Sequence, residues 1–516
     1  MTQAGGPTSR ARALAVIAVA ALAACASLPK NVERTPSTAF DRPNETTIGR
    51  YFEHYTSQHP GLSGFAVVGH GRDAFTMRVG LADMAEKSLD LQYYIWENDT
   101  TGKILAAKLV KAADRGVHVR ILIDDNNFQG RDFGTAALDQ HPNIEIRVFN
   151  PFANRGMHLF DFMTDYGRAN QRMHNKVMIA DGAVAVVGGR NIGDHYFGVN
   201  SEANFRDLDL AAVGPIVRDV AHSFDVYWNS EQAYPIASLH KQEYSKQDIE
   251  KIGDDVRASL AEHPYPWPID QEVDKLLQDI DRVVGSIVWA TGRVVVDDPT
   301  RLASEGAEVA KSSIIEWLRT VQHELLIESA YFVPLDSGVK GLGAAVDRGV
   351  RVRVLTNSLA SNDVAAAHAG YEKYRNDLLH DGVEIYELRP DAGMARQQWS
   401  ITGGRSIAAL HTKAIVLDRT STFVGSFNLD PRSANINTEV GLIVDSSELA
   451  QQVASYMDEG VEPTNAYHVT IDERGKLQWK TQIDGKDTTF SKEPETSAWK
   501  RFMADVIGVL PVDSQL

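Results

Sequence analysis

The hydrophobic pattern of this chain is written twice. Ser88 to Trp96 (SLDLQYYIW) alternates as a strand, and Gly102 to Gly116 (GKILAAKLVKAADRG) carries apolar residues at helical spacing, with Gly116 placed to close the helix. Val117 to Asp125 (VHVRILIDD) is β-branched and apolar, the composition of a parallel strand buried on both faces. A further strand, NIEIRVF, follows the turn at His141-Pro142. The same order returns in the second half as ELLIESAYFVP (Glu324 to Pro334), LGAAVDRG (Leu342 to Gly349), VRVRVLTNS (Val350 to Ser358) and VEIYELRP (Val383 to Pro390). DRGVRVRVL at Asp347 lies 233 positions after DRGVHVRIL at Asp114. So long a period excludes a solenoid and predicts two duplicated lobes of α/β class, each a mostly parallel or mixed β-sheet flanked by helices.

The duplication sets the expected organisation: a leader over 1–24, a tether over 25–45, a first lobe over 46–235, a connection over 236–284, and a second lobe with a C-terminal extension over 285–516. A helix is expected near Ile48 to His59. The connection reads as a charged surface helix interrupted by HPYPWP (His263 to Pro268). After Met457, VTIDERGKLQWKTQID reads as strands around a turn at Arg474-Gly475, and the chain closes on the amphipathic SAWKRFMADVIGVLP. This extension is expected to be structural or lid-like.

The 516 residues are 43% hydrophobic and 23% charged, the balance of a folded globular protein with room for two domains. A net charge of -17 gives an acidic exterior that repels phosphate backbones at long range, so nucleic acid is a disfavoured partner. The single cysteine follows Arg10, Arg12, an apolar run from Ala13 to Leu22 and then small residues, the layout of an export signal too short to span a bilayer well. Leu22-Ala23-Ala24-Cys25 resembles the bacterial lipobox, which implies lipid modification of Cys25; cleavage at A-x-A beside an unpaired thiol is the alternative. By the same resemblance, Ala26 after the cysteine favours the outer membrane, on its periplasmic side. Residues 26 to 45 contain three prolines and read as a tether holding the body off the membrane.

Each half carries one further stretch, HNKVMIADGAVAVVGGRN from His174 and HTKAIVLDRTSTFVGSFN from His411. Both reduce to H-x-K-x4-D-x6-G-[GS]-x-N, giving His174, Lys176, Asp181, Gly188 and Asn191, then His411, Lys413, Asp418, Gly425 and Asn428. One such match arises by chance with a probability on the order of 10⁻⁴ to 10⁻³ in a chain this long, so two are not coincidence. His and Lys at i and i+2 point to one side of a strand, Asp181 or Asp418 ends it in a turn, and Gly-[GS]-x-Asn returns amides to the same rim. Imidazole, ammonium and amide donors converging in duplicate make a phosphate site. Histidines without that company, such as His54, His158 and His222, read as satisfied core residues. A zinc site is the sharp alternative, but each lysine puts a cation where a metal would sit and no cysteine cluster exists, so no metal or cofactor is expected.

One histidine per lobe implies a shared site at the lobe interface, with one imidazole attacking phosphorus and the other handling the proton of the leaving and incoming oxygens. Each ring needs an acidic partner to orient it. Glu439 in NTEVGL and Asp207 in FRDLDLAAVGP stand in comparable strand contexts, and Glu202 is a weaker choice although it has Glu439's spacing from the asparagine.

The duplicated motif resembles the phospholipase D superfamily. SLDLQYYIWENDTTGKILAAKL, AADRGVHVRILIDD, HPNIEIRVFNPF, RMHNKVMIADGAVAVVGGRNIGDHYF, FRDLDLAAVGP and EPETSAWKRF are similar to bacterial C-type cardiolipin synthases over most of the chain from about residue 60. The resemblance implies a phosphatidyl group moved between phospholipids, with phosphatidylglycerol as acceptor and phosphatidylethanolamine as a candidate donor. It implies a covalent phosphohistidine with His174 as nucleophile and His411 as general acid/base, the pseudo-symmetry allowing the reverse. Lys176, Lys413, Asn191 and Asn428 would bind phosphate, with Gly189 standing where the second copy has Ser426. Gln92 and Glu328, at matching strand ends, are candidates to touch the substrate. The alternatives are a hydrolytic phospholipase D releasing phosphatidic acid, a nuclease, disfavoured by acidity and export, and a non-catalytic lipid-binding lipoprotein.

Overall fold

The computed structural model describes residues 27–127, 132–155, 158–240, 244–269, 285–302, 309–394 and 406–509; the leader and Cys25 lie outside them. In the first half the strands are β1 (Ser63–Val68), β2 (Ser88–Tyr93), β3 (His118–Asp124), β4 (Ile144–Phe149), β5 (Val177–Ala180), β6 (Val184–Gly188), β7 (Ala203–Arg206), β8 (Asp209–Val213) and β9 (Ala233–Pro235). The sheet runs β1-β8-β6-β5-β2-β3-β4-β9, with β2, β3 and β4 parallel and the other neighbours antiparallel. The crossover from β2 to β3 is α1 (Thr100–Asp114), started by the Asp99 side chain accepting the Gly102 N–H. It is closed by Gly116, whose φ of 93° is open to glycine and strained for other residues. A second helix, α2 (Ile216–Trp228), follows β8.

The second half repeats this with β10 (Val288–Val296), β11 (Glu324–Ser329), β12 (Arg351–Asn357), β13 (Glu384–Leu388), β14 (Ile407–Leu410), β15 (Lys413–Leu417), β16 (Ser421–Gly425), β17 (Val440–Asp445) and β18 (Ala466–Ile471). Its order, β10-β17-β16-β15-β11-β12-β13-β18, has β11, β12 and β13 parallel, position for position as in the first half. Here α3 (Leu335–Asp347) is the crossover and Gly349, at φ 89°, closes it as Gly116 closes α1. The helices α4 (Ala365–His380) and α5 (Ser447–Gly460) complete the lobe. The C-terminal extension adds β19 (Leu477–Ile483) and β20 (Lys486–Phe490) to the edge at β18, then α6 (Ala498–Val509). Two of the three extension strands therefore prolong the sheet away from the motifs.

The lobes are fused through strands and through core. β10 pairs with β1 over its first residues and with β17 over the rest, making one continuous sheet. β7 and β14 pair in parallel across the lobes. A single buried cluster then draws Leu122, Val177, Val187 and Leu210 from one half together with Leu326, Val416, Val424 and Leu442 from the other, and takes apolar faces from α2 and α5. Apolar burial stabilises by roughly 25 cal/mol per Å², so such a shared core makes neither half a free-standing unit.

One segment departs from expectation. Residues 34–39 do not stand free as a tether but lie along the first lobe. Arg34 donates to the carbonyls of Ala233 and Glu231, while the buried Arg147 and Arg120 donate to the carbonyls of Thr35 and Ser37. Buried guanidinium groups require acceptors, and this proline-containing strand of chain supplies them.

Candidate active site

The two motifs sit at equivalent sheet positions. Each histidine precedes a central strand, β5 or β15, and each lysine stands at that strand's start. The backbone N–H of His174 donates to the Thr438 carbonyl at 2.9 Å, and that of His411 to the Arg206 carbonyl at 2.8 Å. Each motif is thus laid against the other lobe, one residue short of an acid. The consequence is a crossed arrangement in which His174 Nδ1 meets Glu439 Oε2 at 2.9 Å and His411 Nδ1 meets Asp207 Oδ2 at 2.6 Å. Nδ1 of each ring is committed to a carboxylate of the opposite lobe, so Nε2 is the nitrogen left for chemistry. Tyr94 packs edge-on against the His174 ring and Tyr196 against the His411 ring, at centroid separations of 5.0 and 5.1 Å.

Lys176 and Lys413 are buried, and each ammonium folds back to donate to the carbonyl of its own motif histidine. Burial lowers both lysines and both imidazoles below their ordinary ranges, and neighbouring lysines add to it at His174, Lys176 and His411, leaving His411 at about 4. The rings are therefore neutral at neutral pH. Burial also raises Glu439 to about 7 against the pull of Lys176. At Asp207 the same burial is outweighed by His411 and Lys413, which hold its carboxyl below the usual range. Four nitrogen groups short of negative charge surround one space, which is a receptor for a phosphate and a poor one for a metal ion.

The remaining sequence candidates divide. Asp181 and Asp418 are not brought to the histidines: each lies at the far end of its strand, at φ 53° or 51°. Their carboxylates accept three consecutive backbone N–H groups, of Glu86, Lys87 and Ser88 or of Gln322, His323 and Glu324. They pin the central strands rather than act on substrate. Gln92 and Glu328 are fully buried and face protein: Gln92 donates to the Met173 sulfur, and Glu328 lies 3.6 Å from the Arg206 guanidinium. Both are as buried as the motif lysines. Asn191 spans the Ile95 N–H and the Tyr196 hydroxyl, whereas Asn428 keeps a buried side-chain oxygen without a partner. His54 and His222 lie on the surface instead of in the core, and Glu202 is exposed, the rings meeting Glu439 and Asp207 instead.

Asp207, not Glu202, is the counterpart of Glu439, because Gly188 pairs with Asp209 as Gly425 pairs with Gly441. Five extra residues in the first lobe break the equality of spacing that favours Glu202. The register also explains Gly189. Ser426 has room for a hydroxyl that donates to the longer Glu439 carboxylate, but the shorter Asp207 fills that space in the first lobe. A Cβ at Gly189 would come within 2.1 Å of Asp207 Oδ1. Gly189→Ala is expected to displace Asp207 from His411 and lower kcat by about 10² or more, with a circular dichroism spectrum like that of the wild type; unchanged kcat would contradict the packing.

Sequence reading misses the residues that set the height of each motif. Asp124 at the end of β3 accepts the Met173 N–H at 2.8 Å, and Asn357 at the end of β12 accepts the Leu410 N–H at 2.7 Å. Burial raises Asp124 to about 6. The signal was present, since the two residues close the repeated VHVRILID and VRVRVLTN strands at the common 233-residue offset.

The family model described as cardiolipin synthase, PLD-like domain, matches residues 80–228 and 314–460. The chain is 40% identical over 475 residues to cardiolipin synthase C of Escherichia coli (strain K12), an alignment covering 89% of this chain and 97% of that one. Cardiolipin synthase A of Pseudomonas syringae is 25% identical over 376 residues, covering 72% and 63%. The crystal structure of phosphatidylserine synthase from Haemophilus influenzae Rd KW20 superposes with a TM-score of 0.55 at 14% identity, covering 90% of this chain and 99% of that one, a likeness of fold. The two lobes and their paired motifs are those of an enzyme of the phospholipase D superfamily. Within it, the chain belongs to the cardiolipin synthase, PLD-like family.

Proposed function

We propose that this enzyme is a membrane-associated phosphatidyltransferase that forms cardiolipin through a phosphohistidine. The observation that carries the reading is the crossed pair of histidines, each with Nδ1 held by the other lobe's carboxylate and each ring within reach of the charge of two buried lysines. His174 Nε2 attacks phosphorus, the bond to the head-group oxygen breaks, and His411, which the negative charge of the incoming phosphodiester brings to its protonated form, gives that oxygen its proton. In the second half, His411 takes the proton of the acceptor hydroxyl, which attacks phosphorus and breaks the P–N bond. Lys176 and Lys413 balance charge on the non-bridging oxygens throughout. We assign the proton-carrying role to His411 because its partner Asp207, held low, favours an imidazolium there, and the attacking role to His174 because its partner Glu439 is raised.

The test is incubation of purified enzyme with labelled phosphatidylglycerol, with and without phosphatidylethanolamine, followed by separation of the lipids. Cardiolipin supports the reading. Phosphatidic acid alone replaces it with hydrolysis, in which water takes the acceptor's place at the same intermediate.

The pH profile provides a second check. Ionised Glu439 is the form that accepts from His174 Nδ1 and stabilises charge arising on the ring. Since its carboxyl sits at about 7, kcat/KM should rise through that region and fall on the acid side as Glu439 takes up a proton. Glu439→Gln should lack this limb. A wild-type kcat/KM flat between about pH 6 and 8 would contradict the assignment.

Lipid attachment at Cys25 belongs to the same proposal. With residues 34–39 fastened to the first lobe, the nine peptide steps from Cys25 to Arg34 reach at most about 30 Å, so a lipid there would keep the body close to the bilayer. A lipid anchor together with a protein contact is the kind of two-signal arrangement that gives stable association. Cys25→Ser should move the protein from the membrane fraction to the soluble one without lowering kcat; retention at the wild-type level would contradict lipidation.

A further inference from the structure

The C-terminal helix α6 is mounted inside out. Helices on protein surfaces turn their apolar stripe toward the core. On α6 the residues at i, i+3, i+4 and i+7, namely Trp499, Phe502, Met503 and Val506, are 68, 53, 37 and 42% exposed. The inward positions are Lys500, Ala504 and Ile507, of which Ala504 is 2% exposed. Burial lowers the Lys500 ammonium while Glu493 opposes it, a cost that an outward-facing lysine would not incur. The Trp499 and Phe502 rings lie 5.6 Å apart, forming one apolar ridge.

The mount is firm. Glu493, just ahead of α6, is buried between two residues of α4, accepting from Arg375 at 2.8 Å and meeting His368 Nε2 at 3.2 Å. Arg375 also donates to Glu387 on β13, so the segment is tied to the sheet. The first residue of α4 follows Asp363 and the exposed Val364. Asp363 accepts from the Tyr331 hydroxyl at 3.1 Å, and its charge reaches Lys413. One helix thus links the ridge to the rim of the active site.

We infer that the ridge of α6 is a membrane-docking surface that lies in the head-group region of a phospholipid bilayer and presents the active-site mouth to it. Three features favour a bilayer as the occupant. Twelve residues span about 18 Å, too short to cross a bilayer and suited to lying in its plane. Tryptophan, phenylalanine and methionine beside cations are the composition of an interfacial face. Arg501 and the inward Lys500 against Asp505 leave α6 one net positive charge in a chain of net charge -17, so the helix itself does not repel anionic lipid. The inference rests on the phospholipid reading of the active site and adds a separate docking surface to it.

The experiment uses the full chain with vesicles of phosphatidylglycerol and phosphatidylethanolamine, with brominated or ordinary acyl chains. Brominated lipid should quench wild-type tryptophan fluorescence, and Trp499→Phe should lose a distinct part of that quenching; equal quenching in both proteins overturns the proposal. Phe502→Asp should raise KM on vesicles about tenfold or more, from the lost apolar contact, while leaving turnover of a dispersed short-chain phospholipid unchanged. Loss of turnover on both substrates, or a concentration-dependent dimer abolished by Phe502→Asp, also overturns it. Absence of wild-type turnover on either substrate, with quenching intact, rejects the catalytic reading and leaves the docking surface standing.

Discussion

His174→Ala and His411→Ala should each lower turnover of a natural phospholipid by about 10⁴ or more, and the double variant should be little worse than either single one. The two losses should differ in kind. In the proposed mechanism His411 supplies a proton to a poor leaving group and later takes one from the acceptor, so a p-nitrophenyl phosphatidyl ester, whose leaving group needs no proton, should restore a first-turnover burst of p-nitrophenolate in His411→Ala while later turnovers stay slow. It should restore none in His174→Ala, because the attacking nitrogen is gone. Equal rescue of both variants would contradict the division of roles, and near-normal activity of either on natural lipid would contradict a two-histidine site.

The second large effect concerns the acids. Asp207→Asn should lower kcat by about 10² to 10⁴ although Asp207 lies on the first lobe and the ring it orients, His411, lies on the second. Glu439→Gln should do the same to His174. The crossing has a distinct signature: Asp207→Asn should behave as His411→Ala does, with rescue by the activated ester, and Glu439→Gln as His174→Ala does. The reverse pattern would mean that each acid serves its own lobe.

Much of this was legible before any coordinates. The repeated DRGV-strand and the duplicated H-x-K motif are local patterns, set by period-2 alternation, helical spacing and helix-closing glycines, and they gave the parallel strands and the two histidines. Legibility fell where the decisive contacts are between lobes. Nothing in FRDLDL states that Asp207 turns to a ring more than two hundred residues away. That pairing follows from the His411 N–H bonding to Arg206 and from the register of β6 with β8. Equal spacing likewise pointed to Glu202 because five inserted residues leave the sheet register intact while shifting the count. The motif aspartates show a different failure. Their fixed distance from the histidines looks catalytic, but it arises because a strand of set length must end where three amides can be capped. Gln92 and Glu328 stood at the right strand ends, and burial turned them inward.

The central claim is that one composite site forms a covalent bond to His174. The most direct measurement is acid-free quenching of enzyme with phospholipid labelled in its phosphate, followed by alkaline digestion-compatible peptide mapping, which preserves phosphoramidates. Label on the peptide containing His174, absent in His174→Ala and accumulating when Asp207→Asn slows its release after loading from the activated ester, is the predicted result. Label on the His411 peptide instead, or turnover with no labelled peptide under conditions that trap the wild-type burst, would contradict it.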